Sequence, residues 1–189
     1  MEFSILHHNI AIDTSTLETV KLGCRKVLQM VRPSWPDQDV QLKVFTDGLT
    51  NKLVGGWYKD KADIVLIKIY GDDTEKFIDR VSEKINMKLM EEGGCGSKLY
   101  ASFNNGISYE LVHGKVLELS MLFEPKVYRE AARCLARMHK VKINDKTPVM
   151  WDFMNKLMKL YPQSFENQSQ VSYQNLINFT DHLILARDF

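Results

Sequence analysis

Lys68 is the side chain with the clearest chemical promise. It sits in the run Ile64–Tyr70, IVLIKIY, between Ile67 and Ile69. A lysine on so apolar a stretch is costly unless a partner or a ligand takes up its charge. Glu83 lies in the following segment, where Phe77, Val81, Ile85 and Leu89 recur every four residues. At about 100° per residue, that stripe leaves Glu83 on another side of a helix. A glutamate placed there is free to face a cleft and steady the Lys68 ammonium against the α- and β-phosphates of a nucleotide. The competing readings are a lysine snorkelling at a sheet edge and a solvated surface glutamate. Position alone leaves them open.

Two more stretches can meet the same ligand. Asp47-Gly48-Leu49-Thr50-Asn51 joins two apolar runs. Backbone N–H groups and the Thr50 hydroxyl there can approach phosphates. The stretch holds one glycine, so it matches neither G-x-G-x-x-G nor a Walker loop. A simple hairpin turn explains it equally well. Tyr109-Glu110-Leu111-Val112 ends a strand, and a ligand base can pair with its backbone in place of a further strand. An ordinary strand end reads the same. His7, His8, His113, His139 and His182 show no metal-ligand spacing with Cys, Asp or Glu, and no nucleophile elbow occurs.

The elements that must position these residues follow from the pattern. Residues 1–14 read as an extended lead-in. Ser15 and Glu18 have capping-box spacing ahead of a helix whose face carries Leu17, Val20, Val27, Leu28 and Val31. Pro33 and Pro36 stop it near Arg32, and Trp35 is expected to tuck it against a sheet. From Val40 the period becomes two, which predicts a strand, then a turn at Thr46-Asp47-Gly48. A second strand runs Leu53–Tyr58, weakened by Gly55-Gly56, and a third Ile64–Tyr70. A helix follows, with Asp72 and Glu75 at capping-box spacing and Phe77, Val81, Ile85 and Leu89 as its buried stripe. Lys98–Phe103 and Ile107–Val112 read as strands around a type I′ turn at Asn105-Gly106. Beyond Gly114 come a helix from Pro125 with a core stripe of Val127, Ala131, Leu135 and Met138, and another after Thr147-Pro148. The expected class is α+β, an antiparallel sheet plus helix followed by helices. Its parts are a helical lead-in at 1–39, a nucleotide-binding lobe at 40–114 and a helical region at 115–189.

Bulk properties set bounds. The chain has 189 residues, 44% hydrophobic and 26% charged, at a net charge of +1. That is the composition of a globular domain. It gives no electrostatic case for nucleic acid or an anionic membrane. Cys24, Cys95 and Cys134 lack zinc-knuckle or redox spacing, which fits a reduced intracellular protein. With no signal-peptide pattern and no run of the ~20 apolar residues that spans a bilayer, the expectation is a cytoplasmic protein with no membrane insertion.

The residues together resemble the choline/ethanolamine kinase family, on its ethanolamine side. The motifs that carry the resemblance are Phe45–Leu53, FTDGLTNKL, Val65–Gly71, VLIKIYG, and Leu99–Gly106, LYASFNNG, running into Tyr109-Glu110. Arg32-Pro33-x-Trp35 and Leu135–His139, LARMH, add to it. The likeness spans roughly residues 15–160. It implies a protein-kinase-like amino-terminal lobe followed by the first helices of a helical carboxy-terminal lobe. The implied reaction is transfer of the γ-phosphoryl group of MgATP to ethanolamine, an early step towards phosphatidylethanolamine. ATP and ethanolamine are the implied partners. By the resemblance Asp47, Gly48, Thr50 and Asn51 cover the phosphates, and Glu110 and Val112 form the hinge that pairs with adenine. Lys68 and Glu83 make the lysine–helix-glutamate pair. Lys68 stands where the family usually has Arg, so a point charge replaces a fork. Val81 and Ser82 replace the acidic run usual beside the glutamate.

The departure is an absence. The family's His-Asn-Asp catalytic loop and its Asp-Tyr-Glu-Tyr metal segment do not occur in these residues. Asn144-Asp145 lacks the preceding His and the apolar run after it. No catalytic residue is therefore assigned in this chain, and Mg²⁺ ligands are expected in a missing lobe. The alternatives are a non-catalytic truncated product that acts as a binding or regulatory module, associating with full-length kinase, and a choline-kinase-like relative.

Overall fold

The computed structural model describes residues 4–45, 50–59, 61–143 and 149–160. Two compact units divide the chain, 1–146 and 147–189. The first is built on a six-stranded sheet. Its strands are β1 (His7–His8), β2 (Val40–Phe45), β3 (Lys52–Tyr58), β4 (Ile64–Ile69), β5 (Leu99–Phe103) and β6 (Gly106–Glu110), in the order β1-β5-β6-β4-β3-β2. All pairs are antiparallel except β1–β5.

That parallel pair corrects the expected all-antiparallel sheet. The amino-terminal segment is part of the sheet rather than a lead-in to it. His7 and His8 pair with Ser102 and Phe103, and the Asn105 side chain clasps Ile12 through both its backbone N–H and its carbonyl. A two-residue strand is too short to show a period. The same clasp bears on the hairpin turn. The loop is Asn104-Asn105, with Phe103 opposite Gly106, and none of Asn104, Asn105 and Gly106 takes a positive φ. The expected type I′ turn at Asn105-Gly106 is therefore absent. Asn105 is committed to Ile12 instead.

Helix α1 (Leu17–Val31) begins one residue later than the Ser15–Glu18 pattern implied. Thr16 is the N-cap: its hydroxyl accepts from the Thr19 N–H and its own N–H donates to Thr19 Oγ1, a capping box. Val20, Cys24, Val27 and Leu28 are buried, while Leu17 stays exposed. Burial pushes the Cys24 thiol up to about 12. The helix lies on one face of the sheet, where Val54, Val65, Ile67, Ile69 and Phe103 complete a core with Trp35 and Val40. Gly55 and Gly56 do not break β3, which pairs regularly on both sides. A Cβ on Gly56 would fall 2.4 Å from a Leu28 methyl, so glycine there lets the helix approach. Arg32 ends α1, forks onto Asp63 at 2.8 and 2.9 Å and stacks over Tyr100 at 4.3 Å.

Helix α2 (Arg80–Glu92) departs from expectation twice. Asp79, not Asp72, is its N-cap, accepting from the N–H groups of Val81 and Ser82. Residues before it form a short 3-10 turn, Thr74–Lys76, entered through Asp73 at φ 62°. The stripe Phe77, Val81, Ile85 and Leu89 is not buried. The first three are exposed and Leu89 is half-buried. The core-forming face of the sheet is already covered by α1, and α2 meets strands from the other side, Glu83 accepting from Lys68 and Glu91 from the Leu99 N–H.

Helix α3 (Pro125–His139) starts at its proline as expected. Its stripe is not core: Ala131, Leu135 and Met138 are exposed and Val127 is half-buried. It packs on the short 3-10 stretch Leu119–Phe123. In the second unit, α4 (Met150–Leu160) holds Trp151, Met154, Leu157 and Met158 half-buried. The expected cap at Thr147-Pro148, and Asn144-Asp145, lie outside the described residues. Among the described residues no helix is long and apolar enough to cross a membrane.

Candidate functional site

Strand β4 separates two environments. Side chains alternate across a strand, so Val65, Ile67 and Ile69 join the α1 core while Leu66, Lys68 and Tyr70 face the other way. Antiparallel neighbours on both sides fix this register. Lys68 lies opposite Leu53 of β3 and Ile107 of β6. The sheet edge that a snorkelling lysine would need is two strands away.

Lys68 Nζ donates to Glu83 Oε1 at 2.6 Å, with the two side chains 24% and 18% exposed. This charge-assisted contact is short and partly shielded from water, the setting in which an ion pair retains its strength. Glu83 has a second partner. Arg80 Nη1 donates to its Oε2 at 2.8 Å. Arg80 also donates to Thr74 Oγ1 and lies over the Tyr70 ring at 3.7 Å. Burial raises the Glu83 pKa, but the hydrogen bonds from Lys68 and Arg80 outweigh it and hold the carboxyl below its ordinary value. Burial, followed by the Glu83 charge, pushes the Tyr70 hydroxyl upward. That hydroxyl is buried and makes no geometrically formed hydrogen bond among the described residues. Tyr109 is raised for the same two reasons.

The other sequence-assigned residues fall in two further places. Thr50 is exposed and Asn51 half-buried, with the Asn51 amide donating to Thr50 Oγ1 at 3.1 Å. Asn51 Oδ1 accepts from the Gly71 N–H at 3.4 Å. A Cβ on Gly71 would lie 1.6 Å from the Thr50 carbonyl oxygen, so only glycine admits the loop end to the end of β4. Asp47 and Gly48 lie outside the described residues. Glu110 and Val112 are exposed where β6 runs out. Glu110 pairs with Val65, three residues along β4 from Lys68, which places it roughly 10 Å away at the usual strand rise. Its Oε2 accepts from the Lys98 N–H at 3.3 Å.

A cleft of about 530 Å³ is lined by Tyr70, Gly71, Arg80, Lys84 and Asn105 among others, without Lys68, Glu83, Glu110 or Val112. Asn51 lines a smaller cleft with Val44 and Lys52, and Glu83 one with Met87 and Met90. Among the described residues no group of three or more His, Cys, Asp or Glu could hold a metal ion. The described residues therefore assign no metal ligand.

Comparison with known proteins places this arrangement. The family model for choline/ethanolamine kinase matches residues 42–185, which hold most of β2, all of β3–β6 and helices α2–α4. The chain belongs to the choline/ethanolamine kinase family. Human ethanolamine kinase 1 is 34% identical over 164 residues, covering 85% of this chain and 36% of that protein. Mouse ethanolamine kinase 2 is 36% identical over 141 residues, covering 73% and 37%. The solved structure of a Plasmodium vivax ethanolamine kinase aligns with a TM-score of 0.67 at 20% identity, over 89% of this chain and 54% of that one. A Cryptosporidium parvum choline kinase aligns with a TM-score of 0.59 at 18% identity, over 85% and 49%. Those two likenesses establish a shared fold. The chain thus spans about two fifths of the length of these curated relatives, or less. The fold is the expected α+β kinase-like lobe, extended by β1.

Sequence reasoning missed Arg80, Tyr70 and Thr74. The nearest signal is Asp79-Arg80, an acidic residue directly followed by a basic one, three residues before Glu83. It becomes legible only once Asp79 is recognised as the N-cap.

Proposed function

We propose that this chain is the nucleotide-binding part of an ethanolamine kinase, acting on ATP and ethanolamine. The observation that carries the reading is the Lys68–Glu83 contact of 2.6 Å on the β4 face opposite the core. A lysine held this way presents an ammonium to nucleotide phosphates at a fixed position, which is how positioning and charge stabilisation serve phosphoryl transfer. Thr50 and Asn51, with Asp47 and Gly48 of the same loop, take the phosphate side. The junction of their loop with Gly71, three residues from Lys68, supports this. The backbone at Glu110 and Val112 takes the adenine, supported by its place about 10 Å along the sheet. Bound Mg²⁺ neutralises charge developing on the phosphates in this reaction class. The present residues supply the lysine, its partner and the covering loop.

The test is titration of the chain with a fluorescent ATP analogue, with and without Mg²⁺. Saturable binding is expected, weakened about tenfold or more in Lys68→Met. Equal binding by wild type and Lys68→Met would sink the reading. Because the His-Asn-Asp motif does not occur in these residues, phosphorylation of ethanolamine by the chain alone is expected to fall far below the 1–100 per second typical of kinases. A second reading, a binding module without turnover, is favoured by the exposed apolar side chains of α3. Capture of full-length kinase by a chain that binds no nucleotide would favour it.

A further inference from the structure

We propose that Arg80 is the positioning residue of this site, holding the Glu83 carboxylate by Oε2 so that Oε1 is presented to Lys68. The proposal rests on the nucleotide reading only for its consequence, not for its geometry.

A carboxylate held by Lys68 alone is free to swing about its terminal torsion, which is broad and roughly two-fold. Arg80 removes that freedom. Its guanidinium takes Oε2 at 2.8 Å while Lys68 takes Oε1 at 2.6 Å. Arg80 is itself fixed on three sides. It opens α2 directly after the Asp79 cap, donates to Thr74 Oγ1, and stacks on Tyr70 at 3.7 Å. Its side chain is 13% exposed, the least of the three charged partners. Tyr70 follows β4 directly, and Thr74 lies in the turn between β4 and α2. One planar fork therefore ties the end of the strand, the turn and the start of the helix to one carboxylate. A lysine could supply the charge but not the fork or the stacking plane.

The charges give the arrangement a second consequence. Lys68 and Arg80 each carry one positive charge and Glu83 one negative, so the cluster has a net charge of +1. A lysine paired one-to-one with a glutamate would be neutral as a unit. With Arg80 sharing the carboxylate, the cluster keeps a positive charge to offer an anionic ligand.

The groups facing Glu83 are Lys68 from β4, Arg80 from its own helix, and the tyrosines Tyr70 and Tyr109. Both tyrosines are raised above their ordinary range, so Glu83 is the member of the set that titrates in acid. Its carboxyl carbon, followed by NMR across pH in the full chain, reports on Arg80 without any nucleotide. In Arg80→Met the Glu83 midpoint is expected to rise by about one pH unit, and in Arg80→Lys by about half of that. Binding of the ATP analogue is expected to weaken about tenfold in Arg80→Met and less in Arg80→Lys. A Glu83 midpoint that stays at the wild-type value in Arg80→Met overturns the proposal. Should Arg80→Met not fold, Arg80→Lys decides in the same way, since an unmoved midpoint there also overturns it. If wild-type chain binds no ATP analogue, the nucleotide reading fails, while the Glu83 titration still decides the role of Arg80.

Discussion

Helices α1 and α3 are both 15 residues long and both carry a clear apolar stripe. In α1, Val20, Cys24, Val27 and Leu28 are buried. In α3 no residue is buried, and Leu135 and Met138 are 48% and 40% exposed. The sequences of the two helices do not account for the difference. What accounts for it is the surface each one meets. α1 lies on a sheet face of Val54, Val65, Ile67 and Ile69, with Gly56 making room for Leu28. Among the described residues, α3 packs chiefly on the short 3-10 stretch Leu119–Phe123. Most helical stability in proteins comes from packing an amphipathic face rather than from propensity, so α1 should be an integral part of the fold and α3 a weakly held one.

Four measurements break or sharpen that contrast. Leu28→Ala, at a fully buried position, should destabilise the chain by about 2–5 kcal/mol in urea unfolding. A loss under about 1 kcal/mol would mean that α1 is not seated on the sheet as described. Thr16→Ala removes the α1 cap and should cost about 1 kcal/mol by the same assay. If it costs nothing, α1 does not depend on its first turn. Acid acts on α2 through Glu83, whose carboxylate ties the helix to Lys68 of β4. Glu83 titrates lower in the folded chain than in the unfolded one, so its contribution is fully present above the unfolded value of about 4.3. That contribution is lost as pH falls through the folded value. The pH dependence of unfolding between about 5 and 3 should therefore flatten in Glu83→Gln. An unchanged slope would remove Glu83 as its source. The smallest effect is expected at Leu135→Ala, within about 0.5 kcal/mol. A loss approaching that of Leu28→Ala would show that the α3 stripe is covered in solution.

Much of the first unit is legible from local pattern. Period-two alternation marks β2, a short apolar run marks β4, and Pro33 with Pro36 marks the end of α1. The Lys68–Glu83 pair is legible too, because a lysine flanked by Ile67 and Ile69 needs a partner and Glu83 stands off the apolar stripe of its helix. Other features leave no such trace. β1 is two residues long, and its segment is held by partners almost a hundred residues away, through the pairing with β5, the Asn104 N–H on the Ile10 carbonyl and the Asn105 clasp on Ile12. Asp79 is one of several acidic residues near the start of α2, and the turn through Asp73 decides that it becomes the cap. Arg80 acquires its role because that cap sets it over Tyr70 and within reach of Glu83.

Local sequence set strands β2–β6, the helix stripes, the family motifs and the chemistry of the central pair. These depend on neighbours within a few positions, where side-chain spacing and backbone preference act directly. Tertiary structure alone decided which stripes are buried, that the amino-terminal segment closes one edge of the sheet, and that a second cation shares the Glu83 carboxylate. Amphipathicity states which face of a helix is apolar. Whether that face leaves water depends on a surface built by residues far away along the chain, and so does the number of charges that converge on one carboxylate.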